Sequence, residues 1–239
     1  MNTRFAGQVV LVAGGTGGLG RAVSLAFLEE AARVIVTYRN EDEFAALKSA
    51  AGANDSALQG HRVDVTEEAA ARQLVATILA EHGRLDAMVN TVGGYTGGAK
   101  LWEAGTEVFE RMLAMNFRTG LMLSRAVIPW MLKERRGALV NVASKSAVDH
   151  AGGAAAYAAS KAAAVAMMDS LAEDLKGTGV RVNSVLPSII DTEANRKAMP
   201  KADFAKWPKP EDIARVILFL CSDEAKVIHG AAVPVYGDS

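Results

Sequence analysis

The stretch VLVAGGTGGLGRA spans residues 10–22. A short apolar run, suited to a buried strand, meets five glycines within seven residues and then residues that open a helix. The glycines fit three dinucleotide fingerprints at once: Gly15-x-Gly17-x-x-Gly20, Gly14-x-x-Gly17-x-x-Gly20 and Gly14-x-x-x-Gly18-x-Gly20. A glycine-rich loop between a strand and a helix lets the backbone approach a pyrophosphate, which the free N–H groups of the helix N-terminus then face. A turn without a ligand is the plainer alternative, but so many glycines cost chain entropy that a mere turn does not require. No Lys-Ser/Thr pair follows the last glycine, so the loop is not of the Walker type. The register cannot be chosen within the loop itself.

Outward from the loop, strand-like and helix-like segments alternate. Residues 8–13, 33–37, 60–65, 85–90, 137–143, 180–186 and 232–235 read as strands, mostly without polar alternation, as parallel strands covered on both faces do. Helical patterns fill 18–31, 41–50, 67–82, 106–134, 154–176 and 210–222. Repeated strand–helix units imply right-handed crossovers and an α/β doubly wound parallel sheet of seven strands with helices on both faces. Ligands bind such sheets at the carboxyl ends of the strands, near the switch in strand order.

The chain has 239 residues, half of them hydrophobic, and a formal charge of −1. Those values predict one globular domain over 1–239 and argue against nucleic acid as partner. Apolar runs are too short to cross a bilayer, and residues 1–7 lack the apolar core of a secretory signal, so the expected location is the cytoplasm, with no membrane partner. Cys221, the single cysteine, lies in an apolar helical run and reads as an inert buried thiol; no Cys/His cluster has metal spacing.

The segment SKSAVDHAGGAAAYAASKAAA, residues 144–164, carries the chemistry. Tyr157 and Lys161 stand four apart on a helical pattern and so share a face. An ammonium beside a phenol favours the phenolate, which would make the tyrosine a general acid or base near neutral pH. Ser144 falls at the end of the fifth strand, thirteen residues earlier, where it faces the same cleft. Alone, Tyr-x-x-x-Lys is a weak signal that a surface pair would also satisfy.

The motifs in series resemble the short-chain dehydrogenase/reductase family over essentially the full length. Gly14-x-x-x-Gly18-x-Gly20, Asp64, VNTVGG (89–94), Asn116, Ser144, Tyr157-x-x-x-Lys161, PSIIDT (187–192) and PEDIARVILFLCSDEA (210–225) come in the family's order. The resemblance selects the third glycine register and implies a Rossmann fold. It implies that Tyr157 exchanges a proton with the substrate oxygen, that Ser144 hydrogen-bonds that oxygen, and that Lys161 holds the nicotinamide ribose and lowers the Tyr157 pKa. Asn116 would position a water linking Lys161 to solvent. Gly14, Thr16, Gly17, Gly18, Leu19 and Gly20 would cradle the cofactor phosphates. Asp64 and Val65 would meet the adenine, and Asn90 and Gly93 would line the adenosine side. Pro187, Ile190 and Thr192 would hold the carboxamide, although Thr192 also suits a helix N-cap. Ala13, Thr91, Val92, Ser188 and Tyr236-Gly237-Asp238 depart from the family's usual residues without touching the Ser–Tyr–Lys set.

At the end of strand two, an acid would accept the ribose hydroxyls of NAD. Here Tyr38 and Arg39 stand instead, which favours NADP, with NAD possible, because a guanidinium suits a 2′-phosphate. Glu41, Asp42 and Glu43 follow and suit a helix start. The loops after strands four, five and six, at 93–101, 145–155 and 188–207, would form the substrate wall, the last as a small lid with Met199, Phe204 and Trp207. A carbonyl–alcohol oxidoreductase follows, a ketone or 3-oxoacyl reductase. A non-catalytic NADP-binding regulator is the alternative, and the intact Ser–Tyr–Lys set counts against it. The long helices 106–134 and 154–176 carry apolar residues on more than one face, and family members pair through them, which implies a homotetramer.

Overall fold

The structure, a computed structural model, describes residues 3–239; the first two residues of the expected domain, and of the stretch weighed as a signal, lie outside them. Seven strands run β1 (Val9–Ala13), β2 (Arg33–Tyr38), β3 (Leu58–Arg62), β4 (Ala87–Asn90), β5 (Gly137–Val142), β6 (Val180–Pro187) and β7 (Ala232–Val235). They form one sheet in the order β3-β2-β1-β4-β5-β6-β7, every neighbouring pair parallel. The helices are α1 (Gly18–Glu29), α2 (Glu41–Ala51), α3 (Glu68–His82), α4 (Thr106–Leu113), α5 (Thr119–Glu134), α6 (Ala155–Asp174), α7 (Glu193–Ala198) and α8 (Pro210–Cys221).

The lack of alternation in the strands has its cause in two cores. In β1, Val10 and Val12 join a core with Leu19, Val23 and Phe27 of α1 and Ile213 and Ile217 of α8. Leu11 and Ala13 face the opposite core, with Leu74 and Ile78 of α3, Leu123 and Val127 of α5 and Met168 of α6. Both faces of the strand are therefore apolar, and the sheet is a doubly wound Rossmann sheet with helices on each side. Strand order reverses between β1 and β4, so the carboxyl ends of these two strands open a crevice.

Besides element ends that shift by one or two residues, three differences from the sequence expectation stand out. The third strand pairs over Leu58–Arg62 instead of 60–65, because Val34 through Tyr38 of β2 align with Leu58 through Arg62 and residues past Arg62 leave the sheet. The long helix expected over 106–134 is interrupted by a π-helical turn, Ala114–Arg118, which places Asn116 at the break. The 188–207 segment holds a helix of its own, α7, with the Thr192 hydroxyl as its N-cap, accepting from Asn195 N at 3.2 Å.

Candidate active site

Four glycines of the loop have a physical need to be glycine, and three of them, Gly14, Gly18 and Gly20, owe it to the loop's own path and to the segment packed on it. Gly14 adopts φ +72°, a left-handed conformation. A Cβ on Gly18 would lie 2.8 Å from the Thr192 methyl, and one on Gly20 would lie 2.1 Å from the Gly14 carbonyl oxygen. Gly17, which both other registers require, would meet nothing closer than 3.5 Å. The steric demands thus match the register Gly14-x-x-x-Gly18-x-Gly20, while Gly15 is small for a separate reason, since its Cβ would strike Val36 in the core. Helix α1 starts at Gly17 without a side-chain cap and without an acid in its first turn. A helix N-terminus left in that state is a site for an anion, so the loop fits the diphosphate of a dinucleotide. Leu19 is buried in the first core and can offer only its backbone. Two threonines brace the loop: Gly14 N donates to the Thr37 hydroxyl at 2.9 Å, and the Thr91 hydroxyl donates to the Ala13 carbonyl at 2.7 Å.

At the end of β2, each side chain expected to meet the ribose is paired with a carboxylate. The Tyr38 hydroxyl donates to Glu41 at 3.0 Å, and its ring stacks on Phe44. The Thr16 hydroxyl donates to Glu43 at 2.9 Å. Arg39 donates to Asp64 at 3.2 Å, with both side chains more than half exposed. Hydrogen bonds from the Thr66 backbone and hydroxyl hold the Asp64 carboxyl below the usual carboxylate range. The Val65 side chain is buried in the second core, so only its backbone remains available to a ligand.

Ser144, Tyr157 and Lys161 come together above β5. Ser144 follows the strand and caps a short turn, its oxygen accepting from Ser146 N at 3.1 Å. Tyr157 sits on the first turn of α6; burial raises its pKa, the Ser144 hydroxyl opposes that by hydrogen bonding, and Tyr95 adds to the rise. Lys161 lies one turn further on and is fully buried, its Nζ donating to the Val142 carbonyl at 3.0 Å. The expectation that Lys161 lowers the Tyr157 pKa is not met in the chain alone: Nζ stands 6.0 Å from the phenol ring centre and is spent on a carbonyl, while desolvation governs the phenol. Burial also lowers the Lys161 ammonium itself to about 8.

Asn116 is buried and fully engaged. Its amide nitrogen donates to the Gly94 carbonyl and to the Ser160 hydroxyl, each at 3.0 Å, and its oxygen accepts from Gly94 N at 3.0 Å. Ser160 in turn donates to the Tyr157 carbonyl at 2.8 Å. The side chain therefore clamps the loop after β4 to the turn that carries Tyr157. Gly93 completes this wall: a Cβ there would lie 2.9 Å from Asn116 Oδ1 and 3.0 Å from Lys161 Nζ. Ser160 and Gly94 escaped the sequence reading, although Ser160 lies three residues after Tyr157 on the same helix, a spacing that predicts contact.

Asn90 ends β4 at the crevice, and only its backbone is left to line the adenosine side. Its side chain is buried, donates to Asn141 at 2.9 Å and Thr119 at 3.3 Å, and ties β4 to β5 and α5. Pro187 ends β6, and the Ile190 carbonyl is taken by Thr192 N and the Asn195 side chain, each at 2.8 Å. Thr192 both caps α7 and rests on Gly18, which brings the 188–207 segment against the glycine loop. Ser188 bonds the Tyr236 carbonyl, and His150 is exposed. Burial pushes the Cys221 thiol up to about 12, consistent with an inert core cysteine.

A glycine loop at the sheet's crevice and a Ser–Tyr–Lys cluster at the ends of β5 and α6 define an α/β nucleotide-binding oxidoreductase. The family profile described as short chain dehydrogenase matches residues 8–203. The chain is 31% identical to the 3-oxoacyl-acyl-carrier-protein reductase FabG of Thermotoga maritima, covering 98% of each, and 32% identical to the D-threitol dehydrogenase of Mycolicibacterium smegmatis, covering 98% of this chain and 93% of that one. A solved structure of ElxO with NADP bound superposes with a TM-score of 0.91 at 25% identity, over 96% of this chain and 97% of the other. The chain belongs to the short-chain dehydrogenase/reductase family.

Proposed function

We propose that the protein interconverts a carbonyl and a secondary alcohol with a nicotinamide cofactor, acting as a ketone or 3-oxoacyl reductase, and that NADP(H) is preferred over NAD(H). The observation that carries this reading is the Tyr157 phenol, half-buried beside Ser144 with the buried Lys161 one turn behind it. The Gly14–Gly20 loop and the uncapped start of α1 would hold the diphosphate, Arg39 the 2′-phosphate, and Lys161 and Thr192 the nicotinamide end. When bound, the cofactor supplies or accepts the hydride at the substrate carbon.

The chain's own part is to orient the substrate and move one proton. The Ser144 hydroxyl donates to the substrate oxygen and fixes it beside the phenol. In reduction, Tyr157 gives its proton to that oxygen; burial keeps the phenol protonated at neutral pH, the state that reduction needs. The Lys161 ammonium, with two donors beyond the one on the Val142 carbonyl, would stabilise the phenolate left behind and would hold the ribose of the cofactor. Asn116, by clamping Gly94 and reaching Ser160, keeps the phenol's turn and the opposite wall at fixed separation. Oxidation runs the same transfers in reverse.

Arg39 stays available for a phosphate because its pair with Asp64 is exposed, and such pairs contribute about 0–1 kcal/mol. FabG, named as a 3-oxoacyl reductase, and ElxO, solved with NADP, support the reductase and NADP readings. We further propose that residues 188–207 act as a lid over one cofactor-and-substrate domain, and that the chain works in the cytoplasm as a homotetramer. The test is a panel of ketones, 3-oxoacyl thioesters and alcohols assayed with both cofactors by absorbance of the reduced nicotinamide. Turnover of a carbonyl, faster with NADPH, is expected; cofactor binding without turnover of any member would favour the regulator.

A further inference from the structure

An apolar cavity of about 200 Å³ lies between the loop after β4, α4 and the start of α6, and nothing in the mechanism uses it. Its walls come from the loop after β4 (Gly97, Leu101), from α4 (Val108, Phe109) and from Ala155 and Ala156, the residues that precede Tyr157 on α6. Glu103 is the one charged lining residue, and no cation lines it. Tyr95 spans from the wall of this cavity to the phenol. Its ring meets the Tyr157 ring edge-on at 5.0 Å, and its hydroxyl lies against Gly97, where a Cβ would come within 2.1 Å. The loop that bears it is held on both sides, at Gly94 by Asn116 and at Gly98 by the Gly153 carbonyl, 2.8 Å away. Yet Tyr95 is 65% exposed, and Leu101, Trp102, Val148 and Ile189 on the loops after β4, β5 and β6 are exposed too. Large apolar side chains left open in this number around one cleft mark a binding surface.

We propose that the substrate is a carbonyl compound with an uncharged apolar branch of about phenyl size, that the branch packs against Tyr95 and enters this cavity, and that Tyr95 is the specificity-determining residue. The inference rests on the carbonyl-reductase reading and adds the substrate class to it. The size follows from volume: a cavity of about 150 Å³ already accepts benzene, so this one holds a phenyl ring or an alkyl chain of about six carbons. The charge follows from the lining, since Glu103 would repel an acid and no basic side chain would pair with it. Tyr95, set against both the cavity wall at Gly97 and the Tyr157 ring, makes the occupant part of the reacting molecule, with its carbonyl at the phenol.

The experiment compares methyl ketones whose second substituent is methyl, propyl, phenyl or a carboxymethyl group, in the wild type, in Val108→Phe, which fills the cavity from α4, and in Tyr95→Ala. In the wild type kcat/KM should rise at least tenfold from methyl to phenyl and stay low for carboxymethyl. The phenyl-to-methyl ratio should fall about tenfold or more in each variant, as one methylene in an apolar pocket is worth about 10–200-fold. A wild type blind to substituent size, a preference for the carboxymethyl ketone, or a ratio that survives in both variants overturns the inference and leaves the reductase reading standing. Absence of turnover with every ketone and every thioester instead contradicts the reductase reading itself, and the inference with it.

Discussion

Lys161 is the residue whose environment most constrains the protein. Its ordinary pKa of 10.5 is lowered to about 8 by burial, which corresponds to about 3 kcal/mol of cost for the folded cation. Below about pH 8 both folded and unfolded chains carry the proton, so the cost is present in full. Between about 8 and 10.5 the folded chain releases the proton while the unfolded chain keeps it, so this group makes stability rise with pH. Lys161→Met should therefore stabilise the cofactor-free protein at pH 7 and remove that rise; the difference between wild-type and variant urea midpoints from pH 7 to 10 measures it. At the other end of the cleft, Arg39 and Glu43 oppose each other. Arg39→Leu should weaken NADPH about tenfold to a hundredfold, the worth of a charge-assisted contact, and leave NADH nearly unchanged. Glu43→Gln should strengthen NADPH, because the carboxylate held by Thr16 repels a phosphate brought to the loop. Calorimetry with both cofactors at fixed ionic strength reads both; equal losses for the two cofactors in Arg39→Leu would make the arginine a loop support.

Among the elements, the π-helical turn between α4 and α5 carries the most weight. It lets a buried Asn116 face the loop after β4 and α6 together, with both amide hydrogens and the oxygen satisfied. Asn116→Ala removes three hydrogen bonds and strands the Gly94 backbone and Ser160. A destabilisation of about 1–3 kcal/mol is expected for such orphaned buried groups, read by urea denaturation, together with a loss of kcat that exceeds any change in cofactor affinity. Unchanged kcat in a folded variant would make the clamp purely structural. This turn also marks where the sequence stops being legible. Apolar periodicity over 106–134 announces a helix, but the phase shift made by the extra residue of a π turn is hidden where apolar residues lie on more than one face. The strands and the Tyr157–Lys161 spacing were readable because a fixed period sets them. The direction of the Asn90 side chain was not readable, because it depends on Asn141 and Thr119, from two other elements, and no local pattern encodes that. The glycine register was selected by the resemblance and not by the loop itself, because the steric reason for Gly18 lies in Thr192, 174 positions further along the chain.

At the scale of the whole molecule, α5 and α6 leave an apolar groove lined by Leu121, Ile128, Pro129, Met167 and Leu171, in which the Ser124 hydroxyl is buried without a partner among the described residues. A second copy packing there would cover it. Light scattering at micromolar concentration should report a tetramer, and Ile128→Asp should reduce it to smaller species; a wild-type monomer would contradict the assembly. Such assembly would hold rigid the two helices that bear Asn116's neighbours and Tyr157, and so join the oligomer to the site. No helix among the described residues is long and apolar enough to cross a membrane, and no cluster there suits a metal ion. The catalytic account rests on Ser144, Tyr157 and Lys161 with a nicotinamide. That account is tested most directly by Tyr157→Phe, assayed for cofactor binding by calorimetry and for carbonyl-dependent oxidation of reduced nicotinamide by absorbance. Binding within about twofold of wild type with turnover lowered about 10²–10⁴-fold, the usual contribution of general acid–base catalysis, is the predicted result; turnover near that of the wild type on the same ketone would contradict it.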